Sequence, residues 1–180
     1  MHTPEPTVHA MRFPERWLAV LRIVVGFWFL KGAVTKLSLT LAWGVLPIPT
    51  ASERWIHTLP ILTAKYAAGN PIGVVKGFLE HTVIPHGQLF AQLTAFGEAA
   101  VGLGLTFGFL TALASVLGLW LVVNYGLATQ WVGFSQQGFH IVLGACMIVF
   151  LMSRAGRYWG LDAWLRARRP NSRLARLPLG

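Results

Sequence analysis

Six side chains with acid–base or hydrogen-bonding chemistry lie inside otherwise apolar stretches: Lys31, Lys36, Glu98, Asn124, Tyr125 and His140. Glu98 is the only charge between Leu89 and Tyr125. A carboxylate held away from water is costly unless it is paired, and an ionisable group at membrane depth is a functional-site hypothesis by default. Lysine, histidine and tyrosine can donate protons or hydrogen bonds, and a carboxylate can pass protons on. Such a set can therefore either pin helices together or bind and protonate a ligand.

The elements that carry these residues follow from hydropathy. The run Leu89–Tyr125 is too long for one bilayer-spanning helix, which needs about 20 apolar residues, and suits two. A break at Thr106–Thr111, where Gly108 permits a tight reversal, makes it a transmembrane hairpin. The whole chain is 54% hydrophobic and 12% charged, with eight tryptophans mostly near the ends of apolar runs. That composition describes an integral membrane protein with interfacial aromatic belts. We expect an all-α fold, a four-transmembrane-helix bundle with an amphipathic outer loop and a basic C-terminal tail. The spans are placed at about 17–39, 88–106, 110–131 and 136–152, the outer loop at 40–87, and the tail at 154–180, on span length and charge pattern. Residues 1–16, with Pro4, Pro6 and Pro14, read as a short N-terminal arm.

Within the first span, Arg22, Gly26, Phe29, Ala33 and Lys36 recur at helical spacing and form the candidate inward face, while Arg22 and Lys36 are near enough to the ends to snorkel. In the loop, Val74, Val75, Phe78, Leu79 and Val83 share one face of an amphipathic helix that lies on the membrane or caps the bundle. Ala100, Gly104 and Gly108 have the small-xxx-small spacing of closely packed membrane helices. The net charge of +9 could indicate nucleic acid, but seven arginines follow residue 153 in one tail beside a hydrophobic segment. The positive-inside rule accounts for that tail, so nucleic acid is not an expected partner and both termini are placed in the cytoplasm. Cys146 is the only cysteine, which excludes a dithiol relay within the chain. His81 and His86 flank Pro85 without a cysteine or carboxylate cluster, so they read as solvated or capping histidines and no metal motif is assigned.

At 1.5 Å per residue, Glu98 lies about 15 Å, Lys31 about 12 Å, Asn124 about 10 Å and His140 about 6 Å below the outer ends of their spans. Four antiparallel helices thus contribute polar groups to one layer, with Tyr125 and Lys36 near it, and depth alone favours Lys31 as the partner of Glu98. The structural reading is an ion pair braced by Asn124 that fixes helix register, a role that is weak evidence for stability or activity. The chemical reading is a site for a ligand such as a quinone head group, whose carbonyls need donors and whose reduction needs protons. There Glu98, Lys36 and Lys31 would carry the proton chemistry, and Asn124, Tyr125 and His140 would contact the ligand.

The segment RIVVGFWFLKGAVTKL resembles the opening helix of DoxX-like membrane proteins, as does FGEAAVGLGLTFGFLT around Glu98. NPIGVVKGFLEHTVIPH, the pair Asn124-Tyr125 and GRYWGLDAWL resemble the DoxD branch, the small membrane subunit of thiosulfate:quinone oxidoreductase. The resemblance spans most of residues 17–168 and implies a four-helix bundle that works with a second subunit in passing electrons from thiosulfate to quinone. It matches Lys36, not Lys31, with Glu98. The expected function is a quinone-linked oxidoreductase subunit in a bacterial or archaeal cell membrane, with quinone as cofactor and with lipid and other membrane subunits as partners. The alternative is an accessory subunit of a larger respiratory or photosynthetic complex, which binds lipid or quinone and stabilises assembly.

Overall fold

The computed structural model describes residues 12–42 and 45–168; the first part of the expected N-terminal arm and the end of the basic tail lie outside the described residues. Helix α1 (Arg12–Lys36) starts within the expected arm and stops at Lys36. The chain then turns into a two-stranded antiparallel ribbon, β1 (Leu37–Ala42) and β2 (Leu46–Ala51), in which Leu39 faces Pro49 and Leu41 faces Pro47. A ribbon this narrow has only edge strands, which is where proline is tolerated in a ladder. Helix α2 (Glu53–Ala68) follows, then α3 (Gly73–Phe78), which continues as one π-helical turn over Leu79–Val83. The three long helices α4 (Gly87–Phe107), α5 (Thr111–Thr129) and α6 (Phe134–Ser153) come next, with a 3₁₀ turn at Gln130–Val132 between the last two. A 3₁₀ turn at Ala155–Arg157 leads to the short α7 (Leu161–Arg168).

Among the described residues, four helices are long and apolar enough to cross a membrane: Glu15–Lys36 of α1, then α4, α5 with its 3₁₀ extension, and α6. The fold is therefore the all-α membrane bundle the hydropathy demands. Helix α1 packs on α4, α4 on α5, and α5 on α6, whereas α1 and α6 meet sparsely. The bundle core includes Val25, Phe29, Val101, Leu105, Leu121, Met147 and Phe150. A second core, with Leu59, Ala67, Leu79, Val83, Ala91 and Ala95, joins α2 and the π-helical turn to the first half of α4. In α1, Arg22, Gly26, Phe29 and Ala33 are buried on one face, as their spacing requires.

The outer loop differs most from expectation. It packs as a cap, one of the two expectations for residues 74–83, but its principal helix is the unforeseen α2, which carries Pro60 inside it. Proline removes one backbone bond, but Leu59, Thr63 and Ala67 keep a buried stripe at helical spacing, and packing outweighs the local loss. The expected apolar face of residues 74–83 is also split. Leu79 and Val83 are buried while Val74 is exposed, because the π-helical turn changes the angular step partway along the segment. The small-residue stripe needs correction too. Ala100 points outward, and the closest α1–α4 approaches run through Gly102, where a Cβ would lie 2.7 Å from Leu30 N, and Gly26, where it would lie 2.5 Å from Thr106 N. Spacing finds small residues but not which one faces the neighbouring backbone.

The remote end of the bundle, away from the cap, is closed by the chain's own tail. Gly108 ends α4 at φ 62°, and Leu110 opens α5 at φ 48°, a left-handed conformation that costs a non-glycine residue energy. Asp162 of α7 holds that turn: its carboxylate accepts from Leu110 N at 2.9 Å, Thr111 N at 3.0 Å and the Thr111 hydroxyl at 2.9 Å. It thus caps the N-terminus of α5 from 51 residues away. Arg22 does not snorkel. It is fully buried and donates to Leu105 O at 2.7 Å, Trp159 O at 3.0 Å and Tyr158 O at 3.4 Å, tying α1 to the end of α4 and to the tail. The Tyr158 hydroxyl completes the join by donating to Glu15 of α1 at 2.5 Å, a bond that raises its pKa.

Candidate functional site

At the end of α1, the chain reverses through the ribbon and returns to where it left. Ser52 N donates to Lys36 O at 2.7 Å, and the Ser52 hydroxyl accepts from Trp55 N at 3.3 Å, capping α2. The ribbon is fastened to α4 where Ala51 N donates to Gln92 Oε1 at 2.9 Å. This sets the indole of Trp55 beside the Lys36 ammonium, with Nζ 5.0 Å from the ring centroid. Trp55 Nε1 in turn donates to Thr94 Oγ1 at 3.1 Å. An ammonium over an indole face is attracted by the ring quadrupole, the more so when shielded from water.

Lys36 Nζ donates to Glu98 Oε2 at 2.5 Å, and the Tyr125 hydroxyl donates to Oε1 at 2.9 Å. The side chains of Lys36 and Glu98 are 17% and 7% exposed, so the ion pair is shielded and each carboxylate oxygen has a partner. Three helices, α1, α4 and α5, thus converge on one carboxylate. Gly32 makes room for it, since a Cβ there would lie 2.5 Å from Glu98 Oε2. Gly32→Ala is accordingly expected to push the Glu98 carboxylate away from Lys36, at a cost of about 1–3 kcal/mol if the helices yield instead. A carboxyl infrared band that shifts in Gly32→Ala, with helix content unchanged, is the result expected; an unmoved band would show that the carboxylate does not need the space.

The other sequence candidates fall near this triad without joining it. Lys31 is exposed, and its Nζ sits 5.4 Å from the Trp28 ring centroid one turn back on its own helix. The depth estimate favouring Lys31 thus yields to helix phase: Lys36 shares the inward face with Phe29 and Ala33, and Lys31 does not. Asn124 Nδ2 donates to Trp120 O at 2.8 Å, and His140 Nδ1 pairs with Gln136 O at 2.7 Å, so both are occupied within their own helices. Asn124 therefore does not brace the ion pair. His140 packs beside α5, where a Cβ on Gly126 would lie 3.4 Å from its Cβ. Trp55 and Thr94 were missed; the Ser52–Glu53 capping signal ahead of Trp55 was the available clue to α2.

All six candidates nevertheless line one cavity of about 930 Å³ between the bundle and the cap. Its wall is mainly apolar, with contributions from all four spanning helices, α2, α3 and the π-helical turn. This is near the upper end of the roughly 300–1,000 Å³ typical of small-molecule sites, which combine apolar walls with a few placed polar groups. The arrangement suits a neutral, lipid-soluble ligand with carbonyl oxygens. Lys36 carries three protons, one of them on Glu98, and the others can meet a carbonyl. Among the described residues, no three His, Cys, Asp or Glu side chains converge as metal ligands. A family model described as the TQO small subunit DoxD matches residues 17–177. Neither the curated proteins nor the solved structures yield a match.

Proposed function

The chain belongs to the DoxD family, and from that premise we propose that this integral membrane protein is the quinone-facing subunit of a thiosulfate:quinone oxidoreductase. The observation that carries the reading is the Lys36–Glu98–Tyr125 triad on the wall of a large, mainly apolar cavity. Reduction of a quinone consumes two electrons and two protons and releases a quinol. The electrons come from a partner subunit that oxidises the sulfur substrate, since a chain with one cysteine has no dithiol pair to relay them. We place both termini in the cytoplasm, on the charge of the tail.

The residues of this chain supply donors and protons. The Lys36 ammonium, steadied by the Trp55 ring and the Glu98 carboxylate, directs its remaining N–H groups at a ligand carbonyl. There it stabilises the negative charge that grows on oxygen as electrons arrive. Glu98, paired with Lys36 in an apolar setting, relays the two protons that end on the two ligand oxygens as the two electrons arrive. The Tyr125 hydroxyl fixes the carboxylate so that neither oxygen swings away. His140 and Lys31, on the same cavity wall, are further contacts for the ligand.

Isolation of the complex from native membranes in mild detergent, with mass spectrometry of every co-purifying subunit and bound quinone, tests the assignment. A small oxidoreductase partner with stoichiometric quinone is expected, together with thiosulfate-dependent quinone reduction. Recovery inside a large respiratory or photosynthetic assembly, with no such activity, would instead make the chain an accessory subunit.

A further inference from the structure

The packing around the cavity is uneven, and the glycines map where. Between α1 and α4, Gly26 and Gly102 bring backbones into contact. Between α4 and α5, a Cβ on Gly104 would lie 2.6 Å from Ala114 Cβ. Between α5 and α6, one on Gly118 would lie 2.7 Å from Met147 Sδ. Three of the four helix pairs around the ring are thus closed by small residues against a neighbour. On the membrane-facing side, α1 and α6 have no such closure; they meet sparsely, and their rings touch at Trp28 and Phe139, with centroids 5.5 Å apart. Both rings are partly exposed, at 51% and 39%, and both line the cavity. The cap side is sealed differently, by the second apolar core beneath α2 and the π-helical turn.

We propose that the α1–α6 seam is a lateral portal to the bilayer, through which the ligand enters and along which its apolar chain lies while its ring rests at Glu98. The occupant is a polyisoprenoid or alkyl chain. A quinone ring needs only a fraction of the 930 Å³, and the seam presents aromatic surface where a chain leaving the ring toward lipid would pass. Trp28 and Phe139 then set preference for chain, while Lys36 and Glu98 set preference for ring. Lys31 and His140, which line the same cavity from the two sides of the seam, put polar groups at its mouth. This inference rests on the quinone reading above and adds the route and the tail-binding surface to it.

The test uses the purified full chain in lipid nanodiscs and two probes, a tail-less benzoquinone and its decyl analogue, each titrated by quenching of tryptophan fluorescence. Phe139→Ala removes chain contact, so the decyl compound is expected to bind about tenfold more weakly relative to the tail-less one. Equal changes for the two probes, or none, would overturn the portal. A decyl quinone with a photoreactive group at the chain end is expected to label α1 and α6 around Trp28 and Phe139. Labelling confined to α2 and α3 would place the chain under the cap and also overturn it. Failure of the wild-type chain to bind either quinone would sink the function itself. Binding of both that is lost in Glu98→Gln, with Phe139→Ala treating them alike, would leave the function standing and remove only the portal.

Discussion

Glu98→Gln lowers thiosulfate-dependent quinone reduction by about 10²- to 10⁴-fold, the range spanned by losing a positioned proton-transfer group, while the subunits still assemble. The glutamine amide has nearly the same shape and its one oxygen can still accept from Tyr125, so that contact is kept while the one to Lys36 is lost. What disappears is the negative charge paired with the Lys36 ammonium and the oxygen that relays a proton. A purely structural ion pair makes a different prediction. Removing one member of a shielded pair leaves the other charge uncompensated, which costs about 3–5 kcal/mol, whereas replacing both by neutral groups of similar volume is often neutral or stabilising. The double variant Lys36→Met/Glu98→Gln therefore separates the two. It is expected to recover resistance to denaturation in a detergent titration and to remain inactive. Recovery of turnover along with stability would reduce the pair to a register pin.

Arg22→Met, which touches nothing in the site, is expected to destabilise the bundle by about 3–5 kcal/mol. The change keeps most of the side-chain volume but leaves Leu105 O, Trp159 O and Tyr158 O without their donor. Buried acceptors left unpaired cost about 1–3 kcal/mol each before relaxation, and the tail can recover part of that by moving toward water. Release of α7 also strips Asp162 from the α5 N-terminus, so protease sensitivity should rise first beyond Ser153. Unfolding in detergent read alongside limited proteolysis checks both parts. A tail that stays protected while stability falls would locate the Arg22 contribution within α1 and α4 alone.

How much of this was legible in the residues depends on the forces involved. The four spans are set by apolar length, a one-dimensional quantity, and so are open to direct reading. The inward face of α1 was equally open because helix phase places Arg22, Gly26, Phe29 and Ala33 together. Choosing between Lys31 and Lys36 required phase to be weighed against depth, and phase prevailed. The cap was hidden because Pro47, Pro49 and Pro60 look like loop residues until a two-stranded ribbon and a packed helix are seen to tolerate them. Asn124 was misread for the reverse reason: an amide in an apolar run can satisfy itself on the carbonyl one turn earlier. The Arg22 and Asp162 contacts join residues 83 or more and 51 or more positions apart, which no local pattern reports.

The hook made by Asp162 has a meaning for how the protein is made. Synthesis runs from the N-terminus, so Arg22, the turn at Leu110 and the start of α5 are all in place before residue 162 exists. Until then the first amides of α5 lack their cap, and until Tyr158 and Trp159 are made the Arg22 guanidinium lacks two of its carbonyl partners, both at the end of the bundle opposite the cavity. A polypeptide halted between Ser153 and Tyr158 carries all four described spanning helices and the whole Lys36–Glu98–Tyr125 constellation, yet leaves Arg22 and the first amides of α5 without those partners. Docking of α7 is thereby the event that gives the α5 turn its cap, after the spans themselves are complete.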